Sequence, residues 1–553
     1  MAAAPLKTAL GSPPGWKLAP PLNARTQGLV ATGFGRLPTG RALLLEFVWP
    51  DGVTGGAWLR ALRQVVEITD GVPDKGSVRA ASIAFTHTGL AYMGLDDHAL
   101  ASFARPFREG MFQEDRTRRL GDRRQRKWLK SVLADGPVWS ANTPLRDPDE
   151  YMTGAARAYA VPHDAEPEEA VRTPLTVHAI LLLYAISDED ADGWADEVST
   201  SLGGAGVGVV RRLELLLDVE EAGISREHFG FADGLSQPVP YGLAAPRNES
   251  GLVLLQGEPA PRNEVHGVPL GELLLGYQNG HSEAAPGPVV PRSLSADGSS
   301  IDRRPEEAGL PPHPLAEGFA DLGIDGSYLV VRELRQDVAQ FWNSLDANAA
   351  RIRADDPAAG HVTADWIAER VIGRDKEGHL LCPAGKLKPN QFALPDSDYL
   401  FREKDPHGAG CPPGSHVRRA NPRDALAPNG DADSRLTLLQ AANNHRILRR
   451  GRKFGPKIDD PRIGDGRDRG LLFMCLNTDI ARQFEFVQQT WLLNSTFATL
   501  FGERDPLLAP AGPMTIREQP LRRTVQVETY VQLAGGDYFF LPSMAALRYL
   551  AML

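Results

Sequence analysis

Three short segments of this chain carry side chains able to do chemistry: Gly230-Phe231-Ala232-Asp233-Gly234, His416-Val417-Arg418-Arg419-Ala420-Asn421-Pro422-Arg423 and Arg449-Arg450-Gly451. The first holds a carboxylate in a glycine-framed turn. The second puts an imidazole at the head of an arginine-rich run, and the third adds another guanidinium. A carboxylate and a cation facing one bound molecule can move a proton between two of its oxygens and stabilise the one that departs. A neutral imidazole can hold an iron centre. These are the parts required to cleave hydrogen peroxide at an iron porphyrin. Each also has an ordinary explanation, since aspartates are common in turns, lone histidines are mostly structural, and arginine runs mostly line solvated faces. Thirteen histidines occur, and no local spacing singles one out as a ligand; His445, four residues before Arg449, competes with His416.

The elements that must position these groups alternate strand and helix. Residues 41–49 form an apolar strand candidate. A helical period follows through Trp58, Leu59, Leu62, Val65, Val66 and Ile68, and residues 82–85 return as a strand. The same order recurs with a strand at 176–186, a helix opened by Ser187 and Asp190 in the manner of a capping box, and a strand at 208–219. Two such units in succession suggest a ferredoxin-like domain. In the second half, strands are expected at 326–333 and 469–476. Helices are expected through Phe341 and Trp342, from a Thr363 cap to Ile372, and after the 469–476 strand to about Leu493. Residues 530–542 read as a terminal hairpin with Gly535-Gly536 at its turn. Residues 245–323 and 375–444 are loop-rich, and 425–444 reads as an inserted loop. The expected fold is therefore α+β with antiparallel sheets and long loop insertions, because no glycine-rich phosphate loop follows an early strand.

Bulk properties narrow the function. A net charge of −10 argues against a nucleic-acid partner, and 42% hydrophobic with 24% charged residues describes a soluble globular protein. Cys382, Cys411 and Cys475 form no CxxC pair, so a zinc site, an iron–sulfur cluster or a disulfide framework is not expected. The first 21 residues lack an apolar core and a twin-arginine signal, and no stretch reaches membrane-spanning length. A cytoplasmic protein with no membrane partner is expected.

With Ser236-Gln237-Pro238 after the first segment and Gly536-Asp537-Tyr538-Phe539-Phe540-Leu541-Pro542 near the end, the chain resembles the dye-decolorizing peroxidases over most of its length. The arrangement is most similar to the larger bacterial and fungal-like branch. The resemblance implies two ferredoxin-like domains of the dimeric α+β barrel type, set here at 1–220 and 221–553, the second binding heme b. It implies Asp233 as distal acid/base, Arg449 as distal arginine, and His416 as axial iron ligand. Arg418 and Arg423 fall in the same motif, Arg423 to pair with a propionate. Leu471 and Phe473 would form the apolar wall, and Asp505 would be the carboxylate behind His416. The expected reaction reduces hydrogen peroxide through a ferryl intermediate and oxidises dyes, phenolics or similar small aromatic reductants. Surface relay candidates are Trp342, Trp366, Tyr399, Trp491 and Tyr530, and a monomer or homodimer is expected. A heme carrier or sensor, or an iron-releasing enzyme on the same scaffold, is the alternative.

Overall fold

The computed structural model describes residues 18, 20–49, 55–74, 76–124, 127–142, 172–218, 225–241, 243–247, 253–256, 265–292, 303–381, 399–518 and 521–553. Cys382, most of the first 21 residues, the proposed domain boundary near 220, and parts of both loop-rich segments lie outside them.

Eight strands form the frame: β1 (Thr39–Phe47), β2 (Arg79–Phe85), β3 (Ala179–Ala185), β4 (Val207–Leu216), β5 (Ser327–Gln336), β6 (Arg452–Phe454), β7 (Gly470–Asn477) and β8 (Val531–Leu541). They pair antiparallel in the order β5-β7-β6-β4-β1-β3-β2-β8, and β8 pairs back to β5, so the sheet closes on itself. Within the first half the strands run β4-β1-β3-β2, and within the second β8-β5-β7-β6. The halves join through two short contacts, Lys453 and Phe454 against Leu216 and Leu215, and Phe85 against Phe540.

The strands form where alternate residues are largely apolar, and β1, β2 and β3 are apolar on both faces. One alternating set, including Leu44, Ala84, Leu182, Leu215, Val331, Phe454, Met474 and Phe539, draws on all eight strands and packs into one cluster inside the ring. The other set in the first half, Leu43, Leu45, Ile83, Leu181 and Leu183, packs outward on two helices. These are α1 (Ala57–Leu62) and α2 (Asp188–Gly204). Ser187 caps α2 by accepting from the Asp190 amide, as the sequence implied. In the second half α3 (Val338–Asp355) and α4 (Ala364–Ile372) pack together, and Thr363 caps α4. No helix among the described residues is long and apolar enough to cross a membrane.

Several expectations fail in instructive ways. Gly535 and Gly536 lie in the middle of β8, opposite Glu333 and Arg332, and not at a hairpin turn. Their missing side chains permit close approach: a Cβ on Gly535 would sit 2.4 Å from Trp139 Nε1, and one on Gly536 would sit 2.6 Å from the Val331 oxygen. The segment 425–444 is not simply a loop, since Ala432–Asn443 is a helix capped by Asp431. α1 stops at Leu62, short of the pattern that reaches Ile68. The helix after β7 is wound as π-helical turns, Ala481–Glu485 and Val487–Leu492. Such turns are rare and concentrate near functional sites.

Candidate functional site

On its outer face the second half of the barrel presents Arg332, Leu334 and Gln336 from β5, Leu471 and Phe473 from β7, and Val531 and Leu533 from β8 to one deep cavity. The facing wall comes from the Asp233 turn, α5 (His416–Ala420), the π-helical segment and the Leu507-Leu508 loop.

Asp233 sits between two glycines in the left-handed region, Gly230 at φ 96° and Gly234 at φ 76°. That geometry favours glycine on both sides of the acid. Asp233 Oδ1 accepts from the Gly234 amide at 2.6 Å and from Arg449 Nη1 at 3.2 Å. Arg449 lies on the short strand Leu448–Arg449, paired with Leu476 and Cys475 of β7. The side of its backbone turned away from β7 is met by Gln237. The Gln237 Oε1 accepts the Arg449 N–H at 3.0 Å and its Nε2 donates to the Arg449 carbonyl at 3.2 Å. An amide side chain thus takes the place of a neighbouring strand. Both side chains of the pair are 34% exposed, so each reaches the cavity.

Across α5, His416 Nδ1 donates to Asp505 Oδ2 at 2.9 Å. The carboxylate is fully buried, and its other oxygen accepts the Leu507 and Leu508 amides at 3.0 and 2.9 Å. Burial opposes charge on His416, but the Asp505 carboxylate outweighs it and holds the ring's pKa above the ordinary value. Burial likewise pushes Asp505 up, while His416 and the backbone amides hold it below the usual carboxylate range. With Nδ1 committed to Asp505, Nε2 is the nitrogen left for a metal. The charges of Arg449 and Asp233 bear on the same ring, so both ends of the cavity share one site.

Asp233, Arg449, His416, Asp505, Leu471 and Phe473 are thus brought together. Arg418 and Arg423 are not on the cavity wall. Arg418 lies two residues past His416, about 200° around the helix, and instead donates to the carbonyls of Asp405 and Cys411. Arg423, at φ 50°, stacks 3.7 Å over the Tyr399 ring and donates to the Tyr399 carbonyl, one layer behind the wall. His445 does line the cavity, but it stacks flat on Phe486 and its Nδ1 meets the Arg482 carbonyl. Among the described residues it has no hydrogen-bonded carboxylate of the kind His416 has.

Sequence reasoning missed Arg374 and Arg446. Both are buried, and both line the cavity beside Tyr399. The Arg374 Nη1 donates to the Gly378 carbonyl, while Nη2 has no hydrogen-bond partner among the described residues. Burial, with Arg423 and Arg449 nearby, drives Arg446 down to about 9. An apolar slot with an imidazole on one side and under-compensated guanidinium groups at one end fits a flat porphyrin carrying carboxylates. The one sequence signal for Arg374 is its place directly after Gly373, the left-handed end of α4.

No family model matches the chain. A dye-decolorizing peroxidase of Mycena epipterygia is 25% identical over 521 residues, covering 86% of this chain and 77% of that protein. The multifunctional dye peroxidase of an Amycolatopsis strain is 28% identical over 340 residues, 58% of this chain and 60% of its own length. A solved dye-decolorizing peroxidase in complex with 2,6-dimethoxyphenol superposes with a TM-score of 0.63 at 22% identity, over 96% of this chain and all of that one.

Proposed function

We propose that this chain, which belongs to the dye-decolorizing peroxidases, uses Asp233 and Arg449 on peroxide in a cavity where His416 would hold the iron of a heme. It is a heme-dependent peroxidase, reducing hydrogen peroxide at the expense of dyes, phenolics or similar small aromatic reductants. The observation that carries the reading is the convergence on one cavity of an Asp–Arg pair at 3.2 Å and a histidine backed by a buried carboxylate at 2.9 Å. A heme carrier or an iron-releasing protein needs no such pair, so those readings are not favoured.

Heme b fits the slot: Arg374 and Arg446 would take its carboxylates and Leu334, Leu471 and Phe473 its rings. When bound, it supplies the redox centre that draws electrons singly from the reductant. The protein's own part is to position and to move a proton. Asp233, ionised, accepts a proton from one peroxide oxygen and returns it to the other as the O–O bond breaks. Arg449 stabilises the charge on the departing oxygen. Leu471 and Phe473 narrow the space so that peroxide enters and water is limited. Asp505 fixes the His416 tautomer. The two halves, proposed as ferredoxin-like units at 1–220 and 221–553, are supported by their matching strand orders. Phenolic reductants are proposed because a relative was solved with 2,6-dimethoxyphenol.

Stopped-flow mixing of heme-loaded protein with one equivalent of peroxide tests the assignment. Asp233→Asn is expected to slow the reaction about 100- to 10,000-fold with the resting spectrum unchanged. A near-normal rate across pH would remove Asp233 from the mechanism.

A further inference from the structure

The turn that presents Asp233 is closed by a side chain with no part in the proposed proton transfer. Glu227 stands six residues before Asp233 and lines the same cavity. Its Oε2 accepts the Phe229 amide at 2.8 Å, and its Oε1 accepts the Phe231 amide at 2.9 Å. Its backbone closes the same loop: the Glu227 amide donates to the Phe231 carbonyl at 3.0 Å and the Gly230 amide to the Glu227 carbonyl at 2.9 Å. A third donor, Gln336 Nε2, reaches Glu227 Oε2 at 2.7 Å from β5. The carboxylate therefore binds the loop to itself and then to the barrel.

We infer that Glu227 is the positioning residue of the distal acid, bracketing the 227–231 loop through both carboxylate oxygens and anchoring it to strand β5 through Gln336. The inference rests on the proposed role of Asp233. Gly230 at φ 96° and Gly234 at φ 76° leave the turn's backbone intrinsically permissive, so something outside the turn has to hold it. Two amides accepted by one carboxylate do so, and Phe229 and Phe231, both buried, lock the loop from below. Phe229 stacks on Phe341 of α3 at 4.3 Å. Burial pushes Glu227 up to about 7 against the pull of its three N–H donors, with the Asp233 charge adding to the rise. A carboxyl so enclosed beside a second one is costly, and the N–H donors of the bracket offset that cost.

Glu227→Gln keeps the shape but offers an NH2 to one of the two amides, so one bracket bond is lost. In the heme-loaded protein it is expected to lower the second-order rate with peroxide about 10- to 100-fold, with the resting spectrum and heme affinity of the wild type. Amide exchange at Phe229 and Phe231 is expected to accelerate. Gln336→Met, which removes only the anchor, is expected to give a smaller loss in the same step. Combined with Asp233→Asn, Glu227→Gln is expected to add little, because it acts through that acid. A wild-type peroxide rate in Glu227→Gln, a full additional loss in the double variant, or a parallel loss of the resting heme spectrum would each overturn the inference. If Asp233→Asn is itself without effect, the failure lies in the proposed function and not in the bracket.

Discussion

Asp505→Asn is the substitution whose outcome can be worked out most fully, because the two oxygens of Asp505 have separate tasks. Oδ1 accepts two backbone amides, from Leu507 and Leu508, and Oδ2 accepts His416 Nδ1. Asparagine has one oxygen and one NH2. Leaving the oxygen on the two amides satisfies two donors, so the NH2 takes the place facing His416. Nδ1 must then accept, and its proton moves to Nε2, the nitrogen needed for iron. The opposite flip would set an NH2 against two N–H groups inside a fully buried site, a larger loss. Partners behind a ligating histidine typically account for 10- to 100-fold in metal affinity, about 1.4–2.7 kcal/mol. Titration of heme into heme-free Asp505→Asn, followed by absorbance, is expected to show a dissociation constant raised by that factor. The ferric/ferrous potential is expected to rise, because a less basic imidazole favours the ferric state less. Wild-type affinity together with a wild-type potential would refute the assignment of His416 and Asp505 as ligand and orienting partner.

Arg449→Leu removes the cation but leaves the strand pairing to β7 and the Gln237 contacts, which use backbone atoms. It is expected to slow the peroxide step about 100- to 1,000-fold without changing the heme spectrum, as read by stopped flow; a loss under tenfold would count against it. His178 is buried, its Nδ1 accepts the Phe47 amide at 2.8 Å, and burial holds its pKa down at about 4. Its folded pKa lies below the ordinary 6.5, so the stability it contributes is complete above pH 6.5 and is lost as pH falls toward 4, by up to ~3 kcal/mol. His178→Asn keeps an acceptor and cannot titrate, so its melting temperature is expected to fall less steeply over that range; parallel curves would refute the reasoning.

What the sequence disclosed followed from physical regularity. Six of the eight strands were legible as apolar stretches, buried on the ring's inside; β8 was read as a hairpin, and the three-residue β6, Arg452-Lys453-Phe454, offered no apolar run to read. The turn that carries Asp233 was legible from its glycines, which it holds at positive φ, while the role proposed for Asp233 came from the resemblance. Gly535-Gly536 misled because glycine pairs mark turns and close backbone approaches alike, and only Trp139 packed across β8 separates the two. The Ala432–Asn443 helix escaped notice because only Leu439, Ala442 and Asn443 are buried, too few to make an apolar stripe, although Asp431 offered a capping signal. Arg418 and Arg423 came from the motif of the resemblance, and the turn of the helix after His416 puts Arg418 about 200° away from it while Arg423 lies beyond the helix end. Arg374 and Arg446 reach the cavity from positions 72 residues apart; Gly373 before Arg374 is a faint local mark, and Arg446 has none.

In the proposed function, the placement of the arginines would let one cavity take a dianionic disc while a separate guanidinium, Arg449, stays with Asp233. A buried guanidinium without a counter-charge is costly, and the depressed pKa of Arg446 registers that cost. Were Arg449 the only cation on the wall, a cofactor carboxylate and Asp233 would compete for it, and the peroxide site would be occupied by a salt bridge of the wrong kind. Arg374 and Arg446, on the side of Tyr399, take up that demand. Arg423 backs them from behind the ring without entering the cavity. Arg449 is tied instead to the Asp233 turn by Gln237 and by the Ser236 carbonyl, which accepts its Nη2 at 3.3 Å. In the proposed function, binding and catalysis would thus use different guanidinium groups, fixed by different elements. The same division explains why the acid turn is braced to β5 through Glu227 and not by either binding arginine: the group that must respond to peroxide is held independently of the group that must respond to the cofactor.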